Sequence, residues 1–242
     1  MIKAFIFYLP VFFLLICCKK QNPVSYTTTI PDSTINSIPD TVQTKTYLAL
    51  GDSYTIGQSV EEKDRYPVQA AALLNGMNIP FNKPEIIAQT GWTTANLLRF
   101  LSLHPPSKSK YDFVTLLIGV NDQYQRGTQE EYSRNFLTLL NQAINYAGNN
   151  KLKVIVLSIP DYSVTPFANG SNKELIAKQI DSFNMINRSI ALQAGVSYLD
   201  VTGFSRVAAN YPSLIATDGL HFSGEEYKVW ADSLVALIKK LR

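Results

Sequence analysis

Beyond residue 44, short apolar runs alternate with longer amphipathic stretches. Five runs are apolar at consecutive rather than alternate positions: TYLALG (46–51), PEIIAQ (84–89), FVTLLIG (113–119), LKVIVLSI (152–159) and VSYLDV (196–201). Consecutive apolar residues suit strands covered on both faces, as in a parallel sheet. The stretches between them read as helices. YPVQAAALLNG (66–76) has Pro67 in its first turn and Gly76 at its end, the usual places for those residues. TTANLLRFLS (93–102) begins with Thr93 as a cap. TQEEYSRNFLTLLNQAINYAG (128–148) opens on Thr-x-x-Glu, a capping box, and carries Leu137, Leu140 and Ile144 at helical spacing. SNKELIAKQIDSFNMINRSIALQAG (171–195) sets Leu175, Ile176, Ile180 and Phe183 on one stripe. The last stretch, 224–242, ends in basic residues that complement a helix carboxyl terminus.

Strands alternating with helices predict an α/β fold: a five-stranded parallel sheet between two helical layers, with right-handed crossovers. The expected strand order is the flavodoxin-like 2-1-3-4-5. This order makes strands 1, 2 and 3 neighbours, so residues just past their carboxyl ends gather on one edge. Those residues are Ser53, Gly91 and Asn121.

The first 43 residues read differently. Lys3 precedes an apolar run, 4–16, that ends in LLICCKK. At 13 residues the run is shorter than the ~20 a spanning helix needs, and it fits the apolar region of a signal peptide. The segment resembles a bacterial lipoprotein signal with a loose lipobox. On that resemblance residues 1–18 are the signal, cleavage precedes Cys18, and Cys18 is lipidated. An uncleaved anchor and an ordinary secretory signal are the alternatives. Residues 19–43 are rich in Ser, Thr, Asn and Pro, and read as a flexible tether before a folded domain at 44–242. The expected location is the bacterial cell envelope, with a membrane anchor at the amino end.

Charge narrows the partners. The formal net charge of +3 comes from Lys3, Lys19 and Lys20; residues 21–242 carry 19 basic and 19 acidic side chains. A balanced body argues against nucleic acid as a partner. No metal-binding motif is present, and the adjacent Cys17 and Cys18 lack metal or redox spacing. No cofactor is expected.

Candidate chemistry centres on Ser53. A serine hydroxyl needs a base to become a nucleophile, and histidine suits that role near neutral pH. The chain has two histidines. His104 lies in a Pro-rich loop leading into the third strand, on the edge away from Ser53. His221 follows the fifth strand, on the edge that carries Ser53. Asp218, three residues before it, can turn back to hold the imidazole. Ser53 N–H, Gly91 and the Asn121 amide are candidate oxyanion donors. Singly, each motif also has a plain reading as a turn or cap. Asp52 is expected to hold its loop through hydrogen bonds. Trp92, Tyr124 and Tyr162 are candidates to line a pocket, with ordinary packing the competing role. The stretch 158–167 either shapes the cleft or is a surface loop.

GDSYTIG, TGWTT, LLIGVND and DGLHF occur in the order of the four blocks of the GDSL/SGNH hydrolases, and the chain resembles that family from about 46 to 242. The resemblance implies a lipase/esterase or lysophospholipase-like enzyme. In it Ser53 is the nucleophile, His221 the base and Asp218 its partner, and Ser53 N–H, Gly91 N–H and Asn121 form the oxyanion hole. It implies carboxylic ester hydrolysis through an acyl-enzyme, on short acyl or acetyl esters, glycan esters or lysophospholipid. An acyltransferase on the same site and a non-catalytic glycan- or lipid-binding lipoprotein are the alternatives. Tyr54 stands where the family name has leucine. The G-x-S-x-G elbow of other hydrolases is absent, since position 55 is threonine.

Overall fold

A computed structural model describes residues 43–241. The expected signal, Cys18 and the tether up to residue 42 lie outside the described residues. Five strands form one parallel sheet: β1 (Tyr47–Gly51), β2 (Glu85–Ala88), β3 (Phe113–Leu117), β4 (Val154–Leu157) and β5 (Ser197–Leu199). Their order is β2-β1-β3-β4-β5, as the alternation of runs predicts. Every residue of β1, β3 and β4 is buried, whereas the edge strands β2 and β5 are half-buried. The consecutive apolar runs therefore mark interior strands with a helical layer on each face.

Among the described residues eight α-helices accompany the sheet: α1 (Ser53–Ile56), α2 (Tyr66–Gly76), α3 (Thr94–Leu103), α4 (Val120–Tyr124), α5 (Gln129–Tyr146), α6 (Lys173–Gln193), α7 (Thr202–Val207) and α8 (Gly224–Lys240). The five long ones match the predicted stretches. Helix α2 packs on α8, while α5 packs on both α3 and α6. Right-handed crossovers place these two groups on opposite faces. The three short helices are absent from the sequence reading, because four to six residues carry no periodic signal.

Local chemistry sets the helix starts. Thr93 makes a full capping box with Asn96: its hydroxyl accepts from Asn96 N–H, and its own N–H donates to Asn96 Oδ1 at 3.0 Å. The hydroxyl of Thr128 accepts from Glu131 N–H at 3.2 Å. The buried stripe of α5 is Tyr132, Phe136, Leu139, Leu140 and Ala143. Leu137, expected on that stripe, is exposed, because its direction falls off the 132–136–139–143 face. Leu175 is exposed for the same reason: it points about 100° away from Ile176, which shares the Ile180–Phe183–Asn187 face and packs on the core.

Some polar groups inside this core are tied to one another. Thr115, in mid-strand, meets the hydroxyls of Tyr47 and Tyr66 at 3.0 and 3.4 Å. The indole N–H of buried Trp230 donates to Glu226 at 2.7 Å.

The turn after β1 is the tightest junction. A Cβ on Gly51 would lie 2.4 Å from the Leu117 carbonyl oxygen and 2.1 Å from the Thr55 hydroxyl. Only a residue without a side chain lets α1 fold back over the end of β1 against β3. Gly51→Ala should therefore be destabilising by about 3 kcal/mol or more, since backbone rather than a flexible side chain must move. Urea melts of the two proteins check this; equal midpoints would contradict it.

Candidate active site

Three loops leave the carboxyl ends of β1, β2 and β3 side by side, and a fourth turn arrives from beyond β5. The β1 loop makes Ser53 the first residue of α1. Asp52 caps that helix, its Oδ1 accepting from Tyr54 N–H at 3.1 Å. Ser53 N–H, in the first turn, has no acceptor within the helix. The β3 loop bends at Gly119, whose φ of +133° suits glycine, and its Cβ position is occupied by the Tyr132 ring. Asn121 follows in α4.

The β2 loop carries Gly91 with φ +81°. A Cβ there would meet nothing within 4 Å, so glycine is needed for its conformation rather than for space. Three side chains of α4 and its end bind this loop. Asp122 accepts from Thr94 N–H and hydroxyl at 2.9 and 2.5 Å, Asn121 Nδ2 donates to the Trp92 carbonyl at 3.0 Å, and Gln125 Nε2 donates to the Gly91 carbonyl at 3.1 Å.

The DGLH turn is self-contained. Asp218 Oδ1 accepts from the backbone N–H groups of Leu220 and His221, both at 2.9 Å. Asp218 Oδ2 lies 2.6 Å from His221 Nδ1. Burial alone would raise the Asp218 carboxyl, but hydrogen bonds from the Ser59 hydroxyl, His221 and these two N–H groups outweigh it. They hold the carboxyl well below the usual range. An ionised Asp218 makes Nδ1 the protonated nitrogen and leaves Nε2 with a free lone pair.

Ser53, Asn121 and His221 line one cavity of about 80 Å³. Ser53 and His221 are each 5 % exposed, so a substrate reaches them only through it. The remaining lining is Tyr54, Val120, Leu220 and three aromatic residues, Tyr124, Tyr162 and Phe167, whose rings lie 5.9–6.2 Å apart. No aspartate, glutamate, lysine or arginine is among these residues. Gly91 is not among them either; it stands in the adjoining loop that Asn121 and Gln125 fasten.

His104 caps the far end of α3 and stacks on Phe100 at 4.6 Å. Of the aromatic candidates, Tyr124 and Tyr162 reach the cavity, while Trp92 packs on Phe100 at 4.8 Å. Within 158–167, Tyr162 and Phe167 face the cavity. Sequence reasoning missed Leu220 and Ser59, and reached Phe167 only as the end of the 158–167 stretch. It also gave Tyr54 no role, yet its ring sets an edge against the His221 imidazole at 5.4 Å. Only the adjacency of Tyr54 and Leu220 to Ser53 and His221 offered a signal.

Asp52 is fully buried, and its Oδ2 has no hydrogen-bond partner. Burial pushes its carboxyl up to about 8; the Tyr54 N–H opposes this and the nearby Asp122 adds to it. The neutral acid is thus the form built into the loop at neutral pH.

A family model described as GDSL-like lipase/acylhydrolase matches residues 49–229. No curated protein matches the chain. Among solved structures, TesA aligns with a TM-score of 0.61 at 17 % identity, over 82 % of this chain and 100 % of its own. Axe2, an acetylxylan esterase from Geobacillus stearothermophilus, aligns at 0.61 and 18 %, over 80 % and 94 %. A lipase/acylhydrolase from Enterococcus faecalis aligns at 0.59 and 21 %, over 81 % and 96 %. At these identities the likeness is one of fold.

The Asp52 arrangement makes a prediction about stability. The unfolded carboxyl releases its proton near pH 4 and the folded one near 8, so this group's contribution is full below about pH 4. It falls by up to about 1.4 kcal/mol per pH unit until 8, then levels off. Asp52→Asn mimics the neutral acid and should flatten that fall. Denaturant melts between pH 5 and 8 check this; parallel curves for both proteins would contradict it.

Proposed function

We propose, given that the chain belongs to the GDSL-like lipase/acylhydrolase family, that it is a serine esterase cleaving carboxylic esters through an acyl-enzyme. The observation carrying this reading is one shared cavity: Ser53, Asn121 and His221 line it, and the imidazole is 2.6 Å from an ionised Asp218. In the proposed reaction His221 Nε2 takes the Ser53 proton as the hydroxyl oxygen attacks the ester carbonyl. The oxyanion forms against Ser53 N–H, Gly91 N–H and the Asn121 amide, donors held in place before any charge develops. The imidazolium, paired to Asp218, then protonates the leaving alcohol. Water repeats the sequence to release the acid and restore the hydroxyl.

The cavity lining supports a choice among ester classes. At about 10–15 Å³ per water-sized group, 80 Å³ admits an acyl chain of a few carbons. Tyr124 and Phe167 are 55 % and 45 % exposed, so they offer ring faces at the mouth to a flat or ring-shaped alcohol. An uncharged lining favours a neutral group beside the scissile bond. The preferred substrates are therefore short-chain acyl esters, above all acetyl esters, of neutral ring alcohols such as sugars. Lysophospholipid, with its long chain and phosphate, fits less well.

Ser53→Ala should lower kcat by about 10⁶ and Asn121→Ala by about 10²–10³. Rates on a p-nitrophenyl ester series should peak at the shortest acyl chains. Full activity in Ser53→Ala would end this assignment, and an optimum at eight carbons or more would overturn the acyl preference. Product analysis with added sugar or glycerol separates hydrolysis from acyl transfer.

A further inference from the structure

Ser59 lies six residues after Ser53, in the loop that leaves α1, and 159 residues from Asp218. Its hydroxyl donates to Asp218 Oδ2 at 2.6 Å. The His221 Nδ1–H uses that same oxygen, also at 2.6 Å, while Oδ1 is taken up by the turn's own N–H groups. Ser59 is thus the contact on this carboxylate that comes from the nucleophile's side of the cavity.

Its backbone makes the contact more telling. Two left-handed residues follow α1: Gly57 at φ +64° and Ser59 at φ +67°. Glycine adopts that conformation freely, but a residue with a Cβ is strained in it. Asn78, Arg126 and Asn149 also adopt it; such strain persists where the surrounding structure holds it and is frequent at functional sites. The residue between them reaches the opposite way: Gln58 Oε1 accepts from the Thr90 hydroxyl at 2.7 Å, beside Gly91. One short loop therefore touches the oxyanion loop with one side chain and the acid–base turn with the next.

We infer that Ser59 is a positioning residue for catalysis, orienting the Asp218 carboxylate and drawing charge from the oxygen that supports the imidazolium. This rests on reading Ser53, His221 and Asp218 as a triad. A carboxylate oxygen with two donors shares its lone pairs between them. Removing the hydroxyl leaves that oxygen to the imidazolium alone, so the charged ring is favoured and the carboxylate is freer to swing. The first effect keeps the base occupied by a proton to higher pH; the second lowers turnover.

The titratable groups facing the pair are few. Tyr54 of α1 sets its ring edge on the imidazole, Tyr227 of α8 feels the Asp218 charge, and Tyr124 and Tyr162 line the same cavity; burial raises Tyr54, Tyr162 and Tyr227, which stay neutral. Asp52 changes charge near 8, on the alkaline side.

The test compares Ser59→Ala, Ser59→Gly and Ser59→Thr with the wild type on p-nitrophenyl acetate. Glycine relieves the left-handed strain, so that variant removes the hydroxyl without burdening the fold. Expected are a loss of about 5–10-fold in kcat for Ala and Gly with KM unchanged, and an acid limb of kcat/KM displaced to higher pH. Threonine keeps the hydroxyl but its β-branch strains this backbone further, so it should restore part of the rate. Imidazole titration of His221 by proton NMR should move the same way, and it reads the effect without turnover. Wild-type kcat and acid limb in Ser59→Gly would overturn the inference, as would a rate loss with limb and NMR titration unmoved. A wild-type chain inactive on every ester would instead overturn the functional reading, which the NMR arm distinguishes.

Discussion

Strand β1 is hydrogen-bonded on both sides, to β2 through Leu48–Gly51 and to β3 along its whole length. All three run the same way, so their chain exits emerge on one edge, a few ångströms apart. The meeting of the Ser53, Gly91 and Asn121 loops descends from that pairing. Neighbouring parallel strands lie roughly 4.8 Å apart, about the reach of one side chain, so a residue on one exit loop can bind the backbone of the next. The order in which the crossovers return to the sheet decides which loops meet. Had β2 been added beyond β3, the loop of Gly91 would lie on the far side of Asn121 from Ser53.

The loops so gathered are irregular, and their backbone groups need partners. Asn121, Asp122 and Gln125 supply them from one short helix. The Asp122 carboxylate takes the first N–H and the hydroxyl of Thr94, and so caps α3 from outside its own chain segment. Asn121 gives one amide hydrogen to the Trp92 carbonyl, which orients the side chain and leaves the second hydrogen for the cavity. The same contacts that satisfy the loop thus fix the direction of the amide, and in the reaction proposed above a donor already in place needs no rearrangement when charge appears.

Much of this was legible in the residues. Interior strands announce themselves by unbroken apolar runs, and Thr93, Thr128 and Pro67 mark helix starts by chemistry that operates within a few residues. The edge carrying Ser53, Gly91, Asn121 and the DGLH turn followed from topology, because parallel strands share one exit side. What escaped notice was side-chain direction. Leu137 and Leu140 look equivalent at helical spacing, yet only the second faces the core, since the true stripe is set by where α3 and α6 press on α5. Ser59 escaped for another reason. Nothing in GQSV hints at φ +67°, or at a partner 159 positions away; long-range pairs of polar side chains leave no periodic trace. Phe167 is similar, brought to the cavity by the backbone bond from its N–H to the Gly219 carbonyl.

The two tryptophans stand in unlike surroundings. Trp230 is wholly buried among Tyr54, Tyr66, Phe222 and Tyr227, one ring away from the imidazole. Trp92 is half-buried on the loop that Asn121 fastens. A dry indole emits at shorter wavelength than a wetted one, so the emission of this chain is the sum of a bluer and a redder component. The blue one watches the packing beneath the imidazole, and the red one watches the loop. Loosening of the loop alone would shift the second and leave the first untouched, which gives the molecule an optical means of telling local opening from global unfolding.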